Sequence, residues 1–273
     1  MSVKLSTIKA IYLDVLTKLY TRSEAENYFY IVLQWLEKKS KTDVIVGNET
    51  LLQSTYLDLL SQLEKSVPIQ YLTNEAPFYG LDLYVDERTL IPRPETEQLV
   101  HLILEENQGF SGKILDIGTG SGCIALTLKK NLPNATVSGC DISLDALEVA
   151  KKNAHLLNID VDFFELGVLN DTITPSNIVV SNPPYIALEE KVNMESNVID
   201  YEPDVALFVD AEDPLLFYKT IVKKALKNKD TVCYFETSEF YRTELDEWLA
   251  SSNYQYVWKS DFQLKDRILK VWH

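Results

Sequence analysis

The chain predicts an α/β fold, a mostly parallel sheet covered by helices on both faces, with a small helical unit in front of it. Three observations predict this. From about residue 113, short apolar runs alternate with stretches of helical periodicity. A glycine-rich segment, Asp116-Ile117-Gly118-Thr119-Gly120-Ser121-Gly122, joins the first of these runs to the helix after it. Finally, the apolar run Ile178-Val179-Val180 leads directly into Ser181-Asn182-Pro183-Pro184-Tyr185. A strand has to stop there, because neither proline has an N–H to give the ladder.

Residues 1–75 read as a helical bundle. Ser23-Glu24-Ala25-Glu26 opens a run with Tyr28, Ile31, Val32, Trp35 and Leu36 at helical spacing. Leu57, Leu59, Leu60 and Leu63 suggest another helix, ending near Pro68. No chemistry is visible in this unit, whose aromatics suit a core and whose surface suits substrate recognition. Residues 76–94 form a second stretch. Phe78 to Val85 alternates like a strand or hairpin, and Leu90-Ile91-Pro92-Arg93-Pro94 is a stiff extended connector. Pro94 also suits the first turn of a following helix, where Glu95 and Glu97 are favoured.

Residues 95–273 carry the alternation. Strands are expected at Lys113–Ile117, Ala135–Asp141, Val161–Leu166, Ile178–Val180 and Val232–Glu236, with terminal strands at Tyr254–Trp258 and Ile268–Trp272. Helices are expected at Cys123–Lys130, Ser143–Leu157 with Ser143 as N-cap, Leu215–Leu226 and Tyr241–Leu249.

Composition limits the function. With 273 residues and 46% hydrophobic, the chain can bury a sizeable core, and no run of eighteen apolar residues suggests a membrane span. The first residues, Met1 to Ser6, lack the apolar segment of a secretory leader. Cys123, Cys140 and Cys233 are odd in number and far apart, which fits thiols in a reducing, cytoplasmic compartment. No Cys/His cluster has metal-ligand spacing, so no metal is expected. The net charge is −15, with 41 acids against 26 bases. A protein that grips nucleic acid by its phosphates needs a basic face, so this balance favours a protein or small-molecule partner.

Three constellations carry chemistry. In the Gly-rich loop, alternate glycines let the backbone turn tightly and approach a ligand. Its G-x-G-x-G spacing, with Cys123 where a dinucleotide fingerprint has its last glycine, suits a nucleoside with an amino-acid tail better than a pyrophosphate. Asp116 can face an ammonium group. Asp141, at the end of the next strand, can accept both hydroxyls of a ribose, although alone a strand-end Asp is more often a turn or cap residue. The third is Asn182-Pro183-Pro184-Tyr185, which by itself is equally a plain β-turn. All three fall at the carboxyl ends of strands expected to be parallel, the edge where open α/β sheets bind ligands. There the Asn182 side-chain oxygen and the Pro183 carbonyl can accept the two hydrogens of a planar amide, aiming its nitrogen lone pair at a methyl donor, while the Tyr185 ring packs on the plane.

The Gly-rich loop, Asp141 and Asn182-Pro183-Pro184-Tyr185 together resemble the class I S-adenosylmethionine-dependent methyltransferases that alkylate planar nitrogens. Pro68-Ile69-Gln70-Tyr71-Leu72, Phe78-Tyr79-Gly80-Leu81, Arg93-Pro94-Glu95-Thr96 and Tyr201-Glu202-Pro203 narrow the likeness to the release-factor glutamine-N5 methyltransferases, from about residue 68 to the C-terminus. The resemblance implies a Rossmann-like methyltransferase sheet with an antiparallel edge strand. It implies S-adenosyl-L-methionine as co-substrate and, as protein substrate, the glutamine of a Gly-Gly-Gln loop in a peptide chain release factor. It further implies that Gly118, Thr119, Gly120, Ser121, Gly122, Asp141 and Asn182 contact the cofactor. Asn182, Pro183, Pro184 and Tyr185 would contact the glutamine, with Asn182 and Pro183 catalytic. Two stretches depart from the family pattern: Glu165-Leu166-Gly167-Val168 after the third strand, where no adenine contact is assigned, and Glu236-Thr237-Ser238. The alternatives are a nucleic-acid base methyltransferase and a non-catalytic module that kept the cofactor fold.

Overall fold

The structure, a computed structural model, describes residues 2–51, 54–187, 196–209, 213–262 and 264–273. The chain divides into two units, Met1–Asn74 and Glu75–His273.

The first unit contains β1 (Ser2–Lys4), α1 (Leu5–Leu16), α2 (Arg22–Glu37), α3 (Lys41–Ile45), β2 (Glu49–Leu51), α4 (Ser54–Glu64) and α5 (Ile69–Thr73). Leu5, Ile8, Tyr12 and Leu16 recur at helical spacing and form the buried face of α1. They pack with Phe29, Val32 and Leu33 of α2 and with Tyr56, Leu60 and Leu63 of α4. The Tyr12 ring meets Phe29 edge-on at 5.6 Å, and its buried hydroxyl donates to the Tyr56 carbonyl at 2.6 Å. Helix α2 begins one residue before the expected Ser23 because Thr21 and Glu24 cap each other's backbone N–H groups. The unit is not purely helical: β1 and β2 pair antiparallel, Ser2 with Leu51. Strands of three residues are too short to show a period in sequence.

The second unit opens with β3 (Ala76–Phe78) and β4 (Leu81–Leu83), a hairpin within the stretch read as alternating. Tyr79 and Gly80 form its turn, both with positive φ, 46° and 74°. Two left-handed residues match the twist of the strands, as in a type I′ turn. Then follow α6 (Pro94–Glu106), β5 (Lys113–Ile117), α7 (Cys123–Asn131), β6 (Thr136–Asp141), α8 (Leu144–Leu157), β7 (Asp162–Glu165) and β8 (Ile178–Ser181). Beyond these lie β9 (Ile186–Ala187), α9 (Ser196–Ile199), α10 (Asp204–Leu207), β10 (Phe208–Val209), α11 (Leu216–Ala225), β11 (Val232–Glu236), α12 (Arg242–Ala250), β12 (Gln255–Ser260) and β13 (Asp266–Trp272). Pro94 occupies the first turn of α6 and Ser143 caps α8 by accepting from Ala146 N at 3.1 Å, both as the sequence predicts.

Seven strands form one sheet in the order β12-β13-β11-β8-β5-β6-β7. The pairs from β11 to β7 are parallel, while β13 runs against both β11 and β12. This is the expected mostly parallel sheet with an antiparallel edge, the β12–β13 hairpin supplying it. One face is covered by α6, α7 and α8, whose Leu99, Ile103, Ala125, Leu128 and Leu147 pack with Ile114 and Val180. The other is covered by α11 and α12 through Tyr218, Val222, Leu245 and Leu249 with Val179 and Phe235. Strand order reverses between β5 and β8. The loops leaving these two strands turn to opposite faces and open a crevice at their carboxyl ends.

Candidate active site

Ser181, at the end of β8, holds this crevice in register: its buried hydroxyl donates to the Ile117 carbonyl of β5 at 2.7 Å. Past Ile117 the Gly-rich loop bends through Gly118, Gly120 and Gly122, with φ of 72°, 53° and 82°. Gly118 and Thr119 donate their N–H groups to the Cys140 carbonyl, both at 2.9 Å, so the loop hangs on β6. Gly120 then presents its N–H to Asp141 Oδ2 at 2.9 Å, while Ser143 N donates to Oδ1 at 3.0 Å. Each carboxylate oxygen of Asp141 retains acceptor capacity beyond these bonds. Burial pushes Asp141 above the ordinary carboxylate range, and the two N–H groups pull it back.

A cavity of about 210 Å³ lies over this edge. Gly118, Gly120, Asp141, Asn182, Pro183 and Pro184 all line it. The stretch read as a departure from the family pattern contributes too: Leu166, Gly167 and Val168 form an apolar wall, with Leu166 N bonded to the Asp141 carbonyl at 2.9 Å. The sequence also gave no sign of Arg88, Thr89 and Leu90 at the cavity, because the connector that carries them has no period of its own.

Thr119, Ser121 and Gly122 do not line the cavity; they shape the loop from behind. Thr119 is buried and donates to Asp116 Oδ2 at 2.6 Å, where Ala125 N also donates at 3.2 Å. A Cβ on Gly122 would lie 3.1 Å from both Leu126 and Phe163, tighter than ordinary contact, and the φ of 82° would strain any side chain there. The Ser121 carbonyl receives Asn153 Nδ2 at 2.9 Å, and the same amide pins Tyr84, just after β4, through its N–H and carbonyl.

Asp116 is fully buried, and burial pushes its carboxyl up to about 7. Its Oδ1 has no hydrogen-bond partner, and neither has the buried Ser121 Oγ. An unpartnered carboxylate oxygen behind a glycine loop, an Asp at the strand end and an apolar wall fit a nucleoside ligand with a cationic tail.

The Asn182 turn separates this cavity from a second one of about 480 Å³. Tyr185 faces the second, with Arg93, Glu95, Glu236 and Arg267. Three residues that support this region, Thr96, Glu236 and Glu202, had contacts that were not legible in sequence. Asn182 Nδ2 donates to Thr96 Oγ1 at 3.2 Å, and Thr96 Oγ1 donates to Glu236 Oε2 at 2.6 Å. Glu202, almost fully buried, binds Arg93 Nη2 at 2.5 Å and accepts from Ile91 N at 3.2 Å. It thereby joins two stretches that the sequence singled out separately, Arg93-Pro94-Glu95-Thr96 and Tyr201-Glu202-Pro203. Among the described residues, no group of three or more His, Cys, Asp or Glu is placed to hold a metal ion, and no helix is long and apolar enough to cross a membrane.

Comparison with known proteins agrees with this geometry. Residues 95–204 match the methyltransferase small domain. The chain is 41% identical to the release factor glutamine methyltransferase of Flavobacterium psychrophilum, over 95% of this chain and 96% of the relative. It is 42% identical to the release factor glutamine methyltransferase of Bacteroides thetaiotaomicron, over 83% of this chain and 85% of the relative. Among solved structures, the hMettl16 catalytic domain in complex with the MAT2A 3'UTR hairpin 6 superposes with a TM-score of 0.57 at 18% identity, covering 84% of this chain and 85% of that one. A methyltransferase from Pyrococcus furiosus gives 0.51 at 16% identity, covering 78% and 96%. These two share the fold of the sheet and its helices. The near full-length identity to the two bacterial relatives decides the matter more finely: this chain belongs to the family of release factor glutamine methyltransferases.

Proposed function

We propose that this protein transfers a methyl group from S-adenosylmethionine to the side-chain amide nitrogen of the glutamine in the Gly-Gly-Gln loop of a peptide chain release factor. The observation that carries the reading is one cavity lined jointly by Gly118, Gly120, Asp141 and the Asn182-Pro183-Pro184 turn. S-adenosylmethionine supplies a methyl group activated by a sulfonium. Asp141 receives the ribose hydroxyls, the Gly-rich loop with Asp116 behind it receives the amino-acid tail, and Leu166 with Val168 flank the base.

A carboxamide nitrogen is a poor nucleophile because its lone pair is delocalised. The Asn182 Oδ1 accepts one amide N–H and the Pro183 carbonyl the other. Both acceptors sit in a turn stiffened by two prolines, so the hydrogens are held and the lone pair is directed at the methyl carbon. The N–C bond forms as the S–C bond breaks, and the nitrogen, acidic once alkylated, releases a proton to water. Orientation of this kind supplies up to about 7–11 kcal/mol in favourable systems. Tyr185, facing the second cavity, packs against the arriving peptide.

The N-terminal unit, Met1–Asn74, carries no chemistry and is assigned to recognition of the release factor. Cytoplasmic placement belongs to the same reading and is supported by the free cysteines Cys123, Cys140 and Cys233. The base-methyltransferase alternative is disfavoured by the net charge of −15. Incubation with methyl-labelled cofactor and a release factor, beside its Gln→Ala variant in the Gly-Gly-Gln loop, tests the proposal. Label enters only the first protein; equal labelling of both overturns it.

A further inference from the structure

Asn182 is useful as an acceptor only if its amide is turned the right way, since its two branches have opposite hydrogen-bonding character. The turn itself does not settle the choice. Two residues from distant elements do. Thr96, in the first turn of α6, is 3% exposed, and Glu236, the last residue of β11, is 4% exposed. The Thr96 hydroxyl donates to Glu236 Oε2 at 2.6 Å, so its single proton is spent on the carboxylate. What Thr96 Oγ1 offers Asn182 is then a lone pair, and only the NH2 branch can use it, at 3.2 Å.

We propose that Thr96 and Glu236 are positioning residues that fix the direction of the Asn182 amide, holding Nδ2 inward so that Oδ1 is the atom left to accept the glutamine N–H. The inference rests on the glutamine reading above and deepens it. The orientation depends on Glu236 being ionised. A neutral Glu236 has a proton to donate to Thr96 Oγ1, and Thr96 then donates to Asn182 Oδ1. The amide rotates, and an N–H faces the glutamine N–H where an acceptor is required.

Around Glu236 stand Glu95 from α6, Arg267 from β13, Tyr185 after the turn and Tyr218 from α11, whose hydroxyl donates to the Glu236 carbonyl at 3.2 Å. Burial pushes Glu236 up to about 7, while Thr96, Arg267 and Asn182 pull it down and Glu95 pushes it further up. Arg267 is shared among Glu95 at 3.6 Å, Asp261 at 3.4 Å and Glu239 at 3.3 Å, so its charge is divided. The switch between the two amide orientations therefore falls within the range in which the enzyme can be assayed.

The test compares Thr96→Val, Thr96→Ser and Glu236→Gln with the wild type. Calorimetric titration with S-adenosylmethionine reports whether each variant keeps its fold, and labelled transfer to a release factor gives kcat against pH. Thr96→Val is expected to lose roughly tenfold to a hundredfold in kcat, the scale of a misplaced contact group. Thr96→Ser, which restores the hydroxyl, keeps most of the wild-type rate. In the wild type kcat rises with pH through a limb near 7, and Glu236→Gln flattens that limb. Wild-type kcat in Thr96→Val, equal losses in the Val and Ser variants, or an unchanged limb in Glu236→Gln overturns the proposal. Failure of the wild type itself to label a release factor is a different outcome, and it refutes the glutamine reading instead.

Discussion

Arg93 Nη2 lies 2.5 Å from Oε1 of Glu202, a carboxylate whose side chain is 2% exposed. The pair ties the Pro-rich connector before α6 to the segment that follows the Asn182 turn, 109 residues further along the chain. Arg93→Ala leaves a buried carboxylate whose other hydrogen bond among the described residues comes from the Ile91 N–H. The expected loss is about 1–3 kcal/mol of stability, read from the midpoint of denaturant unfolding. A midpoint equal to wild type would show that the pair contributes nothing.

Asp141→Asn tests the cofactor contact. One of its two oxygens becomes an NH2, which cannot accept from Gly120 N or from Ser143 N. Losing a hydrogen bond to a charged group costs about 1.5–3 kcal/mol, so the Kd for S-adenosylmethionine should rise roughly tenfold to a hundredfold in calorimetry. An unchanged Kd would remove Asp141 from the site.

Gly139→Ala tests how closely the Gly-rich loop is fitted to β6. A Cβ there would stand 2.6 Å from the Phe163 ring and 2.7 Å from Thr119 Oγ1, both of which would have to move. Overpacking of this kind costs about 1–3 kcal/mol in thermal unfolding. Cofactor affinity should fall with it, because Thr119 is the residue that holds Asp116.

Asp116 gives a dependence on pH with a defined sign. Its carboxyl is raised by burial from its ordinary value to about 7 in the folded chain. The folded state therefore holds this proton more tightly than the unfolded state does, and the stabilisation is full below the unfolded pKa and lost as pH rises through the folded one. Asp116→Asn removes the effect. The stability of the variant relative to wild type, without cofactor, should rise between pH 4 and pH 7, the window set by the ordinary value of 3.8 and the raised value. A difference that stays flat across this window would mean that Asp116 is ionised in the folded protein throughout.

Much of the sheet was legible because its elements are long enough to show a period or carry a local cap. Pro94 at the start of α6 and Ser143 before α8 are decided within one helical turn, and β8 is a nearly continuous apolar run ended by the Asn-Pro-Pro turn. The pairings β1–β2 and β9–β10 were not legible, since strands of two or three residues have no period. Gly118, Gly120, Asp141 and Asn182 line one cavity, and their shared place at the carboxyl ends of parallel strands was legible because strand–helix alternation implies that edge. Sequence spacing could not separate Gly120, which faces the cavity, from Thr119 and Ser121, which are buried behind it. The Thr96–Asn182 bond spans 86 residues and is made only by the fold. Thr96 stood in a stretch noted for its resemblance, but nothing local indicated what its hydroxyl touches.

The central claim is that the methyl group goes to a glutamine side-chain nitrogen held at the Asn182 turn. Tandem mass spectrometry of the release-factor peptide that contains Gly-Gly-Gln, after incubation with enzyme and S-adenosylmethionine, locates the added methyl directly. One methyl group on the glutamine side chain, absent when the enzyme carries Asn182→Ala, is the predicted result. A methyl group on another residue, or on the glutamine at an undiminished rate with Asn182→Ala, would contradict the account.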